Sequence, residues 1–294
     1  MARKQKFDYD VLIIGSGAAG STAALTLAKT KKVALIDSGV LGGESANWGD
    51  VPISALLEAT NLYYDARLGS RFGLRSTTLG YNYPAIRAWR DKAVKRSGSA
   101  DNKRFYEKAG IDVYTGTAHF LTPNEVSVNR THLTAEKFIV ATGSEFGTPD
   151  VYGIETIHYK TPKTVFDEPR IPRSVMVVGS ESVALEQISI LAALGNKIYL
   201  VEKASHLMPS EDEEVGELIA KNFHDTRGVS IFTQSQITRV EQKGLGVRVT
   251  YSRGDTSRSV QVDEILFTDT RTPRLDLGLG NAIVESTPSG INID

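Results

Sequence analysis

The chain has 294 residues, enough for roughly two domains, with 40% hydrophobic residues, 23% charged residues and a formal net charge of -1. That balance suits a globular chain with a real core and offers no electrostatic basis for a nucleic-acid partner, since no basic cluster lies beyond residues 1–6. There is no cysteine, which excludes disulfides, thiolate metal sites, iron–sulfur clusters and a cysteine nucleophile within this chain. No apolar stretch approaches the ~20 residues of a membrane helix. The basic opening MARKQK is followed by Asp8 and Asp10 and by a short, glycine-rich apolar run, unlike a secretory signal, so a cytoplasmic location is expected.

In chain order, Val11 to Ile14 reads as a buried strand that runs into Gly15, Gly17 and Gly20, spaced G-x-G-x-x-G. Ala18 to Ala28 is rich in small and helix-forming residues, and a second buried strand, Val33 to Ile36, ends on Asp37. Strand, tight turn, helix, strand and acidic residue, in that order, form the pattern of a dinucleotide site. Gly15 allows the sharp turn, Gly17 lets backbone approach a pyrophosphate, and Gly20 brings helix and strand together. The helix start, at Ala18 and Ala19, offers unpaired N–H groups and a partial positive charge. Asp37, followed by Ser38, is placed to accept hydrogen bonds from a ribose.

Gly42, Gly43 and Gly49 predict a flexible loop, and Pro52 opens a helix to about Tyr64. Residues 67–82 read as irregular. Pro84 begins a polar-faced helix that extends towards Ala109 with a break near residues 97–99. Strands are expected at Asp112 to Phe120, in a hairpin at Val126 to Val128 and Leu133 to Ala135, and at Lys137 to Ala141, which ends in Ala141-Thr142-Gly143. Prolines at 149, 162, 169 and 172 mark a connection between domains.

The opening pattern then returns. Ser174 to Val178 is a strand, Gly179 begins a turn, Ser182 to Leu194 is a helix, and Lys197 to Val201 is a strand that leads to Glu202. In this copy Glu181 holds the second glycine position and Ala184 the third. Alanine only sets a packing distance there, whereas Glu181 brings a side chain and a negative charge to the place where backbone meets pyrophosphate. Two alternatives stay open: a working nicotinamide site, or a unit that keeps the fold without its ligand. Glu202, with no arginine nearby, favours NADH over NADPH. A helix at Glu213 to Thr226 and strands at 230–232, 236–240, 246–251, 259–262 and 264–267 complete the reading, with a further strand region near Gly290 to Asp294.

GSGAAG at 15–20, GGESANWGDVP at 42–52, ATGS at 141–144 and the second unit at 179–202 together resemble the flavoprotein disulfide reductase family, which includes dihydrolipoamide dehydrogenase, glutathione reductase and mercuric reductase. The resemblance spans nearly the whole chain. It implies an α/β protein with tandem Rossmann-like FAD- and NAD(P)-binding domains, C-terminally truncated relative to the family. The expected boundaries are 1–148 for the FAD domain, 149–272 for the NAD(P) domain, and 273–294 returning to the first. By the same resemblance Gly116, Thr117 and Ala118 lie beside the adenine, Ala141, Thr142 and Gly143 form a second FAD contact, and Gly43, Glu44 and Gly49 belong to the loop near the flavin. Gly179, Ser182, Glu202 and Arg271 belong to the nicotinamide side, and Thr270 replaces a glycine that relatives carry.

Ser45 and Asp50 stand where the family has its two redox cysteines, and Ser54 where it usually has a flavin-contacting lysine. A hydroxyl and a carboxylate cannot cycle between dithiol and disulfide, so disulfide exchange by this chain is excluded. Ser45 and Asp50 are the only catalytic candidates; Ser45 lacks a histidine to activate it, and Asp50 also suits a helix N-cap. The family continues into a dimerisation domain, which by the same resemblance is expected to be missing here. Two functions are carried forward. One is an FAD oxidoreductase that takes hydride from NADH and passes electrons to a small non-thiol acceptor. The other is a non-catalytic or truncated member that binds FAD, or nothing, as a scaffold.

Overall fold

The computed structural model describes residues 6–75, 79–98 and 100–293. The basic stretch at residues 1–5, part of the irregular 67–82 segment, the end of the 97–99 break and the final residue of the last expected strand lie outside them. The chain forms two compact units: residues 1–52, 92–145 and 272–294, and residues 53–91 and 146–271.

In the first unit, β1 (Tyr9–Ile14), α1 (Ala18–Leu27), β2 (Val33–Asp37), α2 (Gly43–Asn47), the start of α3 (Asp50–Leu68), the end of α4 (Tyr83–Ser97), α5 (Lys103–Glu107), β3 (Asp112–Thr115), β4 (Ala118–Thr122), β5 (Glu125–Val128) and β6 (Thr131–Val140) follow in order. The sheet order is β3-β2-β1-β6-β5-β4. β3, β2, β1 and β6 run parallel, and β6, β5 and β4 form an antiparallel meander. Chain progression reverses between β1 and β6, so the glycine turn after β1 opens at a topological switch point.

Alternate residues of β1 and β2 serve two cores. Val11, Ile13, Val33 and Leu35 pack with Ala24 and Tyr106 on one face. Leu12, Ile14, Ala34 and Ile36 pack on the other with Phe120, Val126, Leu277 and Leu279. The returning C-terminal segment is tied to β4, where Phe120 N donates to Leu277 O at 2.7 Å and Asn281 Nδ2 donates to Phe120 O at 2.8 Å.

After the short β7 (Ser144–Phe146), the second unit repeats the design with β8 (Ser174–Val178), α6 (Ser182–Ala193), β9 (Lys197–Val201), α7 (Glu213–Arg227), β10 (Ser230–Phe232), β11 (Gln236–Lys243), β12 (Gly246–Arg253), β13 (Thr256–Val262) and β14 (Glu264–Phe267). Its parallel sheet has the order β10-β9-β8-β14, and β11, β12 and β13 form a separate antiparallel sheet. Val175, Val177, Leu200 and Leu266 face a core shared with Ile188 and Leu191 of α6. Met176, Val178, Val201 and Phe267 face the antiparallel sheet through Val240, Val249 and Tyr251. Residues 53–91, expected within the first domain, cluster with this unit. Ile53, Leu56 and Tyr83 are buried in its helical core, Tyr83 Oη donates to Phe166 O at 3.0 Å, and Arg90 Nη1 bonds Phe166 O and Asp167 Oδ1 at 3.0 and 3.2 Å.

Three expectations are corrected. The 42–49 loop contains the helix α2, because Asn47 Nδ2 binds Leu41 O and Gly43 O at 2.8 Å each and closes the turn. The expected strand at Asp112 to Phe120 divides at Gly116, where φ is +149° and the N–H donates to Asp37 O at 2.8 Å. The expected strands at Leu133 and Lys137 are one strand, β6, which pairs with β5 over Thr131 to Thr134 and with β1 from Ala135 to Val140. Among the described residues no helix is long and apolar enough to cross a membrane.

Gln187 of α6 is 1% exposed, and its amide oxygen has no hydrogen-bond partner. A buried, unpaired amide costs more than an apolar side chain of similar shape. Gln187→Met is therefore expected to raise the unfolding free energy by about 1 kcal/mol, read from the urea midpoint at unchanged slope.

Candidate functional site

The first glycine turn is shaped by close backbone approach. Gly15 has φ +103°, and a Cβ there would lie 2.2 Å from Ala141 O. A Cβ on Gly20 would overlap Gly15 O at 1.8 Å, and one on Gly43 would stand 2.5 Å from Gly17 Cα. Gly17 differs: a Cβ there meets nothing within 4 Å, so space lies open above it. Gly17 is the N-cap of α1 and no side chain caps the helix, so the first-turn N–H groups, around the exposed Ala18 and Ala19, face that space. The structure therefore gathers Gly15, Gly17, Ala18, Ala19, Gly20, Gly43 and Ala141 around one cradle.

Asp37 ends β2 beside this cradle. Its Oδ2 accepts from Ser16 N at 2.7 Å and Ser16 Oγ at 2.5 Å, and its Oδ1 accepts from Gly39 N at 2.7 Å, across the exposed Ser38. Ser16 Oγ in turn accepts from Gly42 N at 3.0 Å. A carboxylate offers about four lone-pair sites, so the three bonds leave one for a ribose hydroxyl. Thr117 is exposed next to Gly116, and Ala118 is buried at the start of β4. Thr142 Oγ1 donates to Arg274 O at 2.8 Å, and Arg274 N donates to Gly143 O at 3.0 Å, which anchors the 141–143 turn to the returning segment.

The second turn copies this wiring. Ser180 Oγ donates to Glu202 Oε2 at 2.6 Å, Ala204 N donates to Glu202 Oε1 at 2.8 Å, and Met208 N donates to Ser180 Oγ at 3.1 Å. Gly179 has φ +93°, and a Cβ there would meet Thr268 Oγ1 at 2.7 Å. Each copy thus places a serine hydroxyl between a carboxylate and a backbone amide further along the chain. Sequence reasoning missed Ser16 and Ser180, although the Gly-Ser pair after the first strand of both copies was a readable signal.

Glu181 follows the same backbone path as its counterpart: φ -68° and ψ 170°, against φ -64° and ψ -172° at Gly17. The position demands no glycine conformation, only room. The Glu181 carboxylate accepts from Ser210 Oγ at 2.9 Å and does not cap α6, whose first residue is the exposed Ser182. Asp269 stands against Gly179, with Lys203 Nζ 3.7 Å from its Oδ2. Loss of solvent raises the Asp269 pKa, Lys203 opposes the rise, and Glu202 adds to it. Arg271 lies over the Phe146 ring at 4.9 Å.

The remaining candidates are not assembled into a catalytic group. Ser45 lies within α2, and Asp50 is the first residue of α3, inside the helix and not its cap. Among the described residues neither has a base within hydrogen-bond distance. Glu44 and Gly49 are close neighbours, a Cβ on Gly49 lying 2.9 Å from Glu44 Cγ. No cluster of three or more His, Asp or Glu side chains among the described residues is suited to a metal.

Two sets of parallel strands, each with a glycine turn at its switch point and an acid at the end of the next strand, define a protein with tandem Rossmann-type dinucleotide-binding units. The chain belongs to the pyridine nucleotide-disulphide oxidoreductase family, whose pattern matches residues 9–294. It is 29% identical over 281 residues to a mercuric reductase of Lysinibacillus sphaericus, covering 95% of this chain and 51% of that protein. A dihydrolipoyl dehydrogenase of Thermus scotoductus is 30% identical over 287 residues, covering 96% of this chain and 61% of that protein. The fold is similar to that of the HOCl-induced flavoprotein disulfide reductase RclA from Escherichia coli, solved as a Cu(II) complex, with a TM-score of 0.79 at 24% identity, covering 96% of this chain and 61% of that one. The chain thus spans about half to three-fifths of the length of these relatives. Family members depend on FAD and use NAD(P)H.

Ser16→Ala and Ser180→Ala each strip a carboxylate of its hydroxyl partner. Hydrogen bonds to charged groups contribute about 1.5–3 kcal/mol. Glu202 is 7% exposed and Asp37 more so, so Ser180→Ala is expected to cost more stability than Ser16→Ala in parallel urea titrations.

A carboxylate whose pKa rises on folding binds more protons in the native state, so its contribution to stability falls as pH increases above the unfolded value. Asp269→Asn is therefore expected to raise the melting temperature relative to the parent at neutral pH. The difference should disappear near pH ~3.9, where Asp269 of the unfolded chain titrates.

Proposed function

We propose that this chain is the dinucleotide-binding portion of an FAD-dependent oxidoreductase that takes hydride from NADH and delivers electrons to a small-molecule acceptor other than a disulfide. The observation that carries this reading is the duplicated Ser–acid turn, open above Gly17 in the first copy and similarly wired in the second. When bound, FAD supplies the hydride-accepting and electron-passing chemistry, and the protein supplies position and electrostatics.

In this reading the α1 N-terminus at Gly17, Ala18 and Ala19 holds the pyrophosphate of FAD, and the remaining lone pair of Asp37 orients a ribose. Gly15 and Gly20 keep strand and helix close, Ser38, Thr117 and Ala118 border the adenosine end, and Gly43, Glu44 and Gly49 with Ala141, Thr142 and Gly143 enclose the cofactor. In the second unit Gly179 and Ser182 form the NADH turn and Arg271 contributes from the following segment. Glu202 already accepts from Ser180 and Ala204, so a third, anionic 2'-phosphate would meet a buried negative charge, which favours NADH over NADPH. The hydrogen bond from Ser210 draws the Glu181 carboxylate to one side and leaves the start of α6 uncapped. Ser45 and Asp50 carry no sulfur, and the chain has no cysteine, so electrons leave without dithiol exchange.

The test is an anaerobic absorption spectrum of the purified protein after incubation with FAD and removal of the excess. Retained flavin whose visible band bleaches on addition of NADH, and more slowly with NADPH, is the expected result. Retained flavin that stays oxidised in NADH would overturn the hydride path and leave a scaffold, and absence of retained flavin would overturn the first site.

A further inference from the structure

The second unit contains a cavity of about 220 Å³ between the C-terminal end of β10 and the paired strands β12 and β13, adjoining the acid of the second turn, since Glu202 N donates to Phe232 O and Ser235 N donates to Glu202 O at 2.9 Å each. Neither Gly179 nor Glu202 lines it. Its apolar wall is aromatic: Phe232 and Tyr251 stand 4.9 Å apart at 33°, and Tyr199 stacks behind Phe232 at 10°. Its rim is cationic. Tyr251 pairs with Arg258 and Arg253 with Thr256 across β12 and β13, so register places both arginines on the face that carries Tyr251. Among the described residues neither guanidinium meets a carboxylate. Arg253 donates to the Gln234 amide oxygen at 2.8 Å, and the Arg258 guanidinium has no hydrogen bond or ion pair among the described residues. Two arginines with spare donors beside a stacked aromatic wall are matched to a planar anion, since a guanidinium fork binds a carboxylate bidentately while the rings take an apolar face.

We propose that this cavity is a binding site for a small aromatic carboxylate, with the ring against Phe232 and Tyr251 and the carboxylate between Arg253 and Arg258. Size supports one ring. A cavity of about 150 Å³ admits benzene, and drug-sized ligands need about 300 Å³ or more. The Thr256 hydroxyl, on the same rim, offers a further donor to the carboxylate.

The experiment is a ligand-observed NMR titration of the whole chain with benzoate, benzamide and inorganic phosphate, repeated on Arg253→Gln/Arg258→Gln. Both substitutions are on exposed side chains, and a thermal melt checks that the variant is folded. Saturable benzoate binding that weakens about tenfold or more in the variant, with benzamide and phosphate each weaker than benzoate, is expected. Benzamide binding as tightly as benzoate would remove the role of charge, and phosphate doing so would remove that of the ring. Displacement of benzoate by NADH would assign it to the dinucleotide turn. Any of these, an unaffected variant, or no saturable binding overturns the proposal.

Discussion

A serine hydroxyl clasped between a carboxylate and a backbone amide holds each of the two turns on which the chain is built. Ser16 Oγ accepts a hydrogen bond from Gly42 N–H and donates one to Asp37, and Ser180 Oγ accepts one from Met208 N–H and donates one to Glu202. The arrangement uses a short side chain to tie three places together: the second residue after the first strand, the acid at the end of the second, and the segment beyond. Without it the acid would stand at a sheet end with its charge poorly compensated, and the segment that closes over the turn would have no anchor. Because hydrogen bonds to charged groups are roughly twice as strong as neutral ones, these few contacts set the shape of the cradle more firmly than the glycines alone.

The two copies then part company in electrostatics. Around the first turn Asp37 is the principal charge, and it is largely satisfied internally. Around the second, Glu181, Glu202 and Asp269 bring three carboxylates to one helix start, partly offset by Lys203 and by Ser210. A pyrophosphate arriving there meets a less favourable field than at α1, even though the backbone path is the same. The difference between the copies is one of charge and side-chain placement, not of fold.

The segment from Gly42 to Pro52 shows how a chemically emptied loop keeps a structural task. Gly42 anchors Ser16, Gly43 packs against Gly17, and Asn47 closes α2. These contacts support the cradle and need no sulfur, so the fold tolerates Ser45 and Asp50 where disulfide chemistry would require thiols.

The sequence by itself determined both strand–turn–helix–strand units, because buried parallel strands are continuous apolar runs and only glycine suits φ near +100° at Gly15 and Gly179. It also determined that this chain brings no cysteine to the site. Only tertiary structure decided which residues complete the turns. Ser16 and Ser180 look like ordinary turn residues until the end of the next strand is brought beside them. Local pattern likewise could not place residues 53–91 with the second unit, since that depends on Tyr83 and Arg90 reaching Phe166 and Asp167 across more than seventy positions of chain. Nor could it show where the Glu181 side chain goes. Spacing along a chain encodes backbone conformation and buried faces, whereas the partner of a polar side chain is set by whichever distant segment packing delivers to it.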